Sequence, residues 1–168
     1  MRDHFYTKYK HKIVSTEKLL LKLKKKNLKK LIMCHGVFDV VHPGHVRHLV
    51  YAKSRADLLL VSITSDKFIN KGIYRPHVPE KIRALNIAAF EMVDYVLIDN
   101  NATPIKNIKK IKPDFFAKGF EYNSKETQKI ETKKEIEAIK SYGGKIIFTP
   151  GDVVFSSTNI LNYIKPNL

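Results

Sequence analysis

Residues 35–45, HGVFDVVHPGH, carry three histidines, one aspartate and two glycines. Imidazole nitrogens can coordinate a metal ion, and they can also donate hydrogen bonds to phosphate oxygens. A zinc site would use His35, His42, His45 and His48, but apart from Asp39 no cysteine or carboxylate completes a recognisable zinc spacing. A third interpretation is that these are ordinary turn and core histidines.

The phosphate-binding interpretation depends on the turn within this segment. Pro43 stiffens the turn, and Gly44 permits a close backbone approach to a ligand. Gly44 and His45 would begin a helix, whose free amide groups and positive dipole end attract anions. We therefore expect His42 and His45 to point at a phosphate and His48, one helical turn later, to be structural.

Apolar patterning predicts the elements that position this turn. A helix capped by Ser15 or Thr16 precedes the run LIMCHGVFD, which is typical of a central parallel strand. DLLLVSIT is a second strand, and a helix from Pro79 places Ile82, Leu85, Ala89 and Met92 on one face. The alternation continues through VDYVLID, TPIKNIKKI, DFFAKG, TQKIETKKEIEAIKSYG, KIIFTP and SSTNILNYI.

This alternation predicts an α/β fold, a Rossmann-like, doubly wound sheet of about five parallel strands with helices on both faces. We expect residues 1–13 to form a basic arm and residues 14–168 to form a single domain. Ligands of such sheets bind beyond the carboxyl ends of the strands. Phosphate-binding side chains gather at those ends: His42, His45, Lys71, Arg75, Lys118, Ser156, Ser157 and Thr158.

Composition limits the classes of partner. The net charge of +15 suits nucleic acid, an anionic membrane surface or a phosphorylated small molecule. The dense lysine run of residues 24–30 lacks the interleaved aromatic residues of a single-strand binding groove, so it is either a solvated face or a contact for a polyanion. No apolar run is long enough to span a membrane. A single cysteine, Cys34, and the absence of a signal peptide predict the cytoplasm.

Four separated motifs give the chain a resemblance to a known family. GVFDVVHPGH resembles the GxFDxxHxGH signature of the cytidylyltransferase-like nucleotidyltransferases, which ends the first strand of a Rossmann-like sheet. KGIYRPHVPEKIRA, KPDFFAKGFEY and FSSTNIL are similar to further segments of that family, in the same order. The resemblance extends from about His11 to the end of the chain, and it is strongest to the nucleotidyl domain of ADP-heptose synthase.

The resemblance implies a role for each matching residue. A nucleoside triphosphate would be held by Gly36, Phe38 and the turn with Gly44, while His42 and His45 contact its phosphates and Lys71 neutralises phosphate charge. Lys118, Ser156, Ser157 and Thr158 would complete the nucleotide site, and His35, Asp39, Arg75 and Arg83 are candidate contacts of the second substrate. Mg²⁺ is expected to arrive with the triphosphate. Asp39 would either contact that ion or fix the turn by accepting backbone hydrogen bonds.

The implied reaction is attack by a phosphate oxygen of a small molecule on the α-phosphorus of the triphosphate, with release of pyrophosphate. The catalytic residues would be His42, His45, Lys71 and Lys118, which would align the phosphates and stabilise charge on the nonbridging and leaving oxygens. The resemblance favours a sugar phosphate as acceptor, ATP or CTP as donor, and a homodimer. The chain departs from the family pattern at His35, Phe120 and Glu121, which leaves the nucleotide and the acceptor open. Alternatives are a CTP-dependent enzyme acting on a polyol phosphate or phosphonate, a nucleotide-binding regulator without turnover, and a nucleic-acid-binding protein.

Overall fold

A sheet of five parallel strands forms the centre of the computed structural model, which describes residues 4–24, 29–70, 72, 74–122 and 130–150. The strands are β1 (Leu31–Gly36), β2 (Leu58–Thr64), β3 (Tyr95–Asp99), β4 (Phe115–Lys118) and β5 (Lys145–Phe148). They are arranged in the order β3-β2-β1-β4-β5, so β1 is central and the chain crosses the sheet in both directions from it. This confirms the predicted Rossmann-like sheet.

Helices cover both faces of the sheet, as predicted. They are α1 (His4–Tyr9), α2 (Thr16–Lys24), α3 (Pro43–Lys53), α4 (Glu80–Ala88), α5 (Ile105–Ile111) and α6 (Ile130–Lys140). Alternate residues of β1 supply two separate cores. Ile32 and Cys34 pack with α3 and α4, whereas Leu31 and Met33 pack with α2, α5 and α6.

The register of the central strands brings their carboxyl ends together. Gly36 at the end of β1 pairs with Ile63 of β2, and Cys34 pairs with Ala117 of β4. Every residue of β2 is buried, as expected for an apolar strand covered on both faces. The segments that follow β1, β2 and β4 therefore leave the sheet side by side.

The first described residues pack against the domain. α1 and a 3₁₀ turn lead to Ile13, which bridges to Val96 of β3, and Lys12 Nζ donates a 3.1 Å hydrogen bond to the carbonyl of Phe90. Tyr9 and Ile13 pack on the core beneath α3 and α4. The expected basic arm of residues 1–13 did not include this helix. Tyr9 and Ile13 are partly buried against a surface that only the folded sheet supplies, so the sequence of this segment alone does not indicate the packing.

The buried face of α4 differs from the predicted one. Ile82 is 46% exposed, whereas the neighbouring Arg83 is fully buried together with Ala84, Ile87 and Ala88. The predicted face was wrong at Ile82, since the helix is rotated to carry a charged side chain inward. No helix in the described ranges combines the length and the apolar character required to cross a bilayer.

Candidate functional site

The two histidines of the turn lie against each other at the start of α3. His42 precedes the helix, Pro43 is its first residue, and the carbonyl of His42 accepts the backbone N–H groups of His45 and Val46 at 2.9 and 3.3 Å. The imidazole rings of His42 and His45 stack with centroids 3.8 Å apart. The fold thus brings together the pair that the sequence predicts to contact phosphate.

Burial lowers the pKa of His42, so its ring is neutral at neutral pH and carries one N–H donor. The Nδ1 atom of His42 is buried and makes no hydrogen bond to the described residues. His42 also lines an open cavity of about 820 Å³ beside α3, whose other walls include Val46, Val50 and Pro150. One side of this ring therefore faces space large enough for a small molecule.

The ring of Phe38 packs against the ring of His45. Its ring is buried and lies 4.9 Å from the His45 ring, and its backbone adopts a positive φ of 51°. A Cβ atom added to Gly36 would come within 3.1 Å of the Phe38 ring, so a larger residue at this position would press on that ring. Because the Phe38 side chain is enclosed, only its backbone is placed for the predicted contact with a nucleotide.

Asp39 fixes the loop that follows β2. Its Oδ1 accepts the backbone N–H of Val78 at 2.9 Å, and its Oδ2 accepts from Arg75 Nη1 at 2.9 Å. Burial alone would raise the pKa of Asp39, but the backbone N–H groups of Val78 and His77 and the guanidinium of Arg75 outweigh it and lower that pKa. Of the two roles weighed for Asp39, these contacts favour turn fixation.

No cluster of three His, Cys, Asp or Glu side chains suited to a metal ion occurs within the described part of the chain. The two carboxylate oxygens of Asp39 already have protein donors, and both ring nitrogens of His35 contact hydroxyl groups of β2. The zinc interpretation of the histidine-rich segment therefore finds no support among these residues.

Arg83 joins the segments that leave β1, β2 and the loop before α4. Its Nε donates to the carbonyl of Val78 at 2.9 Å, and its Nη1 donates to the carbonyl of Val37 at 2.5 Å. Its Nη2 donates to the carbonyl of Thr64 at 2.9 Å and to Asp66 Oδ1 at 2.6 Å. The sequence predicts a contact with substrate here, but the structure commits these donors of a fully buried guanidinium to protein acceptors.

His35, also a candidate substrate contact, is engaged by two hydroxyl groups of β2. Its Nδ1 lies 3.0 Å from Ser62 Oγ and its Nε2 lies 3.3 Å from Thr64 Oγ1. Burial lowers the pKa of His35 to about 4, while the charge of Asp99 opposes this shift and that of Lys118 adds to it. His35 is therefore a neutral member of a polar layer beneath the strand ends.

Lys118 ends β4, and its ammonium forms an ion pair with Glu135 Oε2 of α6. The ring of Tyr122 lies 4.5 Å from the same nitrogen atom. Sequence reasoning missed Glu135, although its spacing from the buried Ala138 and Ile139 matches one helix face. That periodicity was the available signal.

His48 connects α3 with the end of β5. Its Nδ1 lies 2.5 Å from the hydroxyl of Thr149, burial lowers its pKa to about 4, and the Thr149 N–H donates to the Lys118 carbonyl at 2.8 Å. These contacts agree with the predicted structural role. The remaining predicted site residues, Lys71, Ser156, Ser157 and Thr158, lie outside the described residues.

The chain is similar in sequence to a known protein family and to two named proteins. A family model described as cytidylyltransferase-like matches residues 33–162. The bifunctional protein HldE of Campylobacter concisus (strain 13826) is 35% identical over 167 residues, which are 98% of this chain and 33% of that protein. HldE of Helicobacter pylori (strain J99) is 42% identical over 131 residues, which are 77% of this chain and 28% of that protein.

Among solved structures, the lipopolysaccharide core biosynthesis protein from Thermoplasma volcanium matches with a TM-score of 0.61 and 26% sequence identity. The match covers 74% of this chain and 99% of that one. The chain spans about a third of the length of the curated relatives it matches. These similarities cover the sheet and the segments that leave it.

Proposed function

Since this chain belongs to the cytidylyltransferase-like family, and is thus an enzyme of the transferase class, we propose that it transfers the nucleoside monophosphate group of a nucleoside triphosphate to a phosphorylated small molecule. Pyrophosphate is the second product. The similarity to HldE proteins supports a sugar phosphate as the acceptor and a nucleotide-activated sugar as the product. ATP and CTP are the candidate donors.

The stacked pair of His42 and His45 at the start of α3 carries this proposal. The oxygen of a phosphate monoester is already nucleophilic, so the reaction requires alignment and stabilisation of charge rather than a strong base. A neutral imidazole N–H can donate to a phosphate oxygen as negative charge shifts toward the leaving pyrophosphate. Both rings are held by the helix start and by Phe38, so little reorganisation is needed when the substrate binds.

Lys118 supplies a positive charge at the neighbouring strand end. Because Cys34 of β1 pairs with Ala117 of β4, Lys118 leaves the sheet beside the segment that leads to His42. We assign it to the phosphates of the nucleotide, together with Lys71 and the hydroxyls of Ser156, Ser157 and Thr158 from the sequence motifs. The homodimer expected from the resemblance remains part of the proposal.

We also propose that Mg²⁺ binds together with the triphosphate. It retains waters and binds phosphate oxygens readily, so it does not require a cage of protein ligands. The described residues do not form such a cage, and Asp39 is occupied by Val78 and Arg75. We therefore assign no protein ligand to the ion.

The test is a screen for pyrophosphate release. The protein is incubated with Mg²⁺, each of the four nucleoside triphosphates and a panel of sugar phosphates, polyol phosphates and phosphonates. We expect turnover with ATP or CTP and a sugar phosphate, and a loss of about 100-fold or more in His45→Ala, as for removal of an oxyanion donor. His11→Ala, at an exposed histidine, is the matched control.

Two results would refute the proposal. One is the absence of turnover with every combination of donor and acceptor. The other is a His45→Ala protein that is as fast as the parent while its circular dichroism spectrum is unchanged. Steep salt dependence of oligonucleotide binding would instead favour the nucleic-acid interpretation.

A further inference from the structure

The ion pair between Lys118 and Glu135 is largely buried and lies at the end of a central strand. Lys118 is the last residue of β4, and its side chain is only 14% exposed, while that of Glu135 on α6 is 7% exposed. The Lys118 ammonium is held between this carboxylate and the ring of Tyr122. The pair lies at the edge of the sheet where ligands of parallel sheets bind.

Stability alone does not account for the pair. Removing two charges from water costs about as much as their attraction returns, and apolar residues of similar volume often serve equally well or better. Burial raises the pKa of Glu135, and Lys118 opposes that effect. A desolvated carboxylate beside a strand end is thus kept at an energetic cost, which is common where charges are arranged for function.

We infer that Glu135 is a positioning residue for Lys118, holding its ammonium at the end of β4 so that the phosphates of a nucleoside triphosphate meet it already in place. This inference rests on the proposed function. An ammonium group has three N–H donors. Glu135 accepts one of them and the Tyr122 ring lies beside the ammonium, so at least one donor has no hydrogen-bond partner among the described residues and can meet a phosphate oxygen. Without the carboxylate, the four-carbon stem of Lys118 would have many rotamers to choose from.

The strand register explains why one glutamate can have this effect. Phe116, two residues before Lys118, packs on the same face of the sheet as Ala138 and Ile139 of α6. The stem of Lys118 therefore leaves the sheet toward α6, where Glu135 lies. The carboxylate limits how far the ammonium can move from the segment that leads to His42.

A double-mutant cycle tests whether Glu135 acts through Lys118. The variants are Glu135→Gln, Lys118→Met and the double mutant, with Glu137→Gln as the matched control at an exposed position of the same helix. Gln keeps the shape of Glu and can still accept a hydrogen bond. Binding of ATP and of CTP is measured by calorimetry, and kcat/KM is measured by pyrophosphate release.

We expect Glu135→Gln to weaken binding of the triphosphate used by the wild type, and to lower kcat/KM, by about tenfold through misplacement of Lys118. Lys118→Met should lower the affinity for the triphosphate and kcat/KM more than Glu135→Gln does. The double mutant should have the same affinity and kcat/KM as Lys118→Met. Glu137→Gln should behave as the wild type.

The inference fails by itself if the wild type binds and uses a nucleotide and Glu135→Gln remains within about twofold of it. It also fails if the losses of the two single variants multiply in the double mutant, because Glu135 would then act independently of Lys118. A wild-type protein that binds neither ATP nor CTP would refute the proposed function and, with it, this inference.

Discussion

Replacing Arg83 by methionine gives a large, calculable loss of stability. Its guanidinium donates to three backbone carbonyl oxygens and to Asp66, and the side chain is fully buried. Methionine fills most of the volume but donates nothing. Each buried acceptor left without a donor costs about 1–3 kcal/mol. Asp66 is 39% exposed and can regain water, so its contribution is smaller.

The three carbonyl groups together therefore predict a loss of about 3–9 kcal/mol, a large part of the 5–15 kcal/mol typical of a domain. The measurement is urea unfolding followed by circular dichroism, with extrapolation to water. Arg83→Lys keeps the charge and can reach fewer of the acceptors, so it should lose about half as much. If Arg83→Met does not fold, the unfolding free energy of Arg83→Lys still tests the prediction.

Arg55→Met is the matched control, since Arg55 is exposed and its guanidinium contacts the ring and hydroxyl of Tyr51 at the surface. It should change the unfolding free energy by no more than about 0.5 kcal/mol. A loss below about 1 kcal/mol in Arg83→Met would show that water replaces the guanidinium. Arg83 would then not be the link between the segments that leave β1 and β2.

Three further outcomes follow from the site. His35 and His48 have pKa values of about 4 in the folded protein against 6.5 unfolded, so the unfolding free energy should fall as the pH drops from 6.5 toward 4; an unchanged pH slope in His48→Gln would contradict this. Burial raises the pKa of the Cys34 thiol, so iodoacetamide should label it only after unfolding, and rapid labelling of the native protein would refute its enclosure. Gly36→Ala should lower stability by about 1–3 kcal/mol and slow turnover by displacing Phe38; unchanged melting and kinetics would contradict that contact.

The fold could be predicted from the sequence because its signals are local. The apolar runs of β1 and β2 and the Pro-Gly pair at the start of α3 each indicate their own element, and the alternation of such elements indicates a parallel sheet. The pairing of His42 with His45 was also accessible, since both flank one helix start. These predictions needed no knowledge of distant residues.

The partners of buried charges could not be predicted in this way. Glu135 lies in a sequence rich in lysine and glutamate, and Arg83 follows Glu80 and Lys81; for charged residues an exposed position is the ordinary expectation. Arg83 is buried because carbonyl groups from two strand ends converge on it, and Glu135 is buried because β4 places Lys118 opposite. Such burial depends on tertiary contacts that no local pattern contains.

The two faces of the sheet contribute different parts of the site. On the face of α3, the His45 ring lies between the apolar ring of Phe38 and the ring of His42, whose pKa is lowered by burial. On the face of α6, the Lys118 ammonium is held by an ion pair with Glu135. A triphosphate lying across β1 and β4 would meet both kinds of donor in fixed positions. Preorganised donors of this kind are what phosphoryl transfer requires, since alignment and charge stabilisation supply most of its rate.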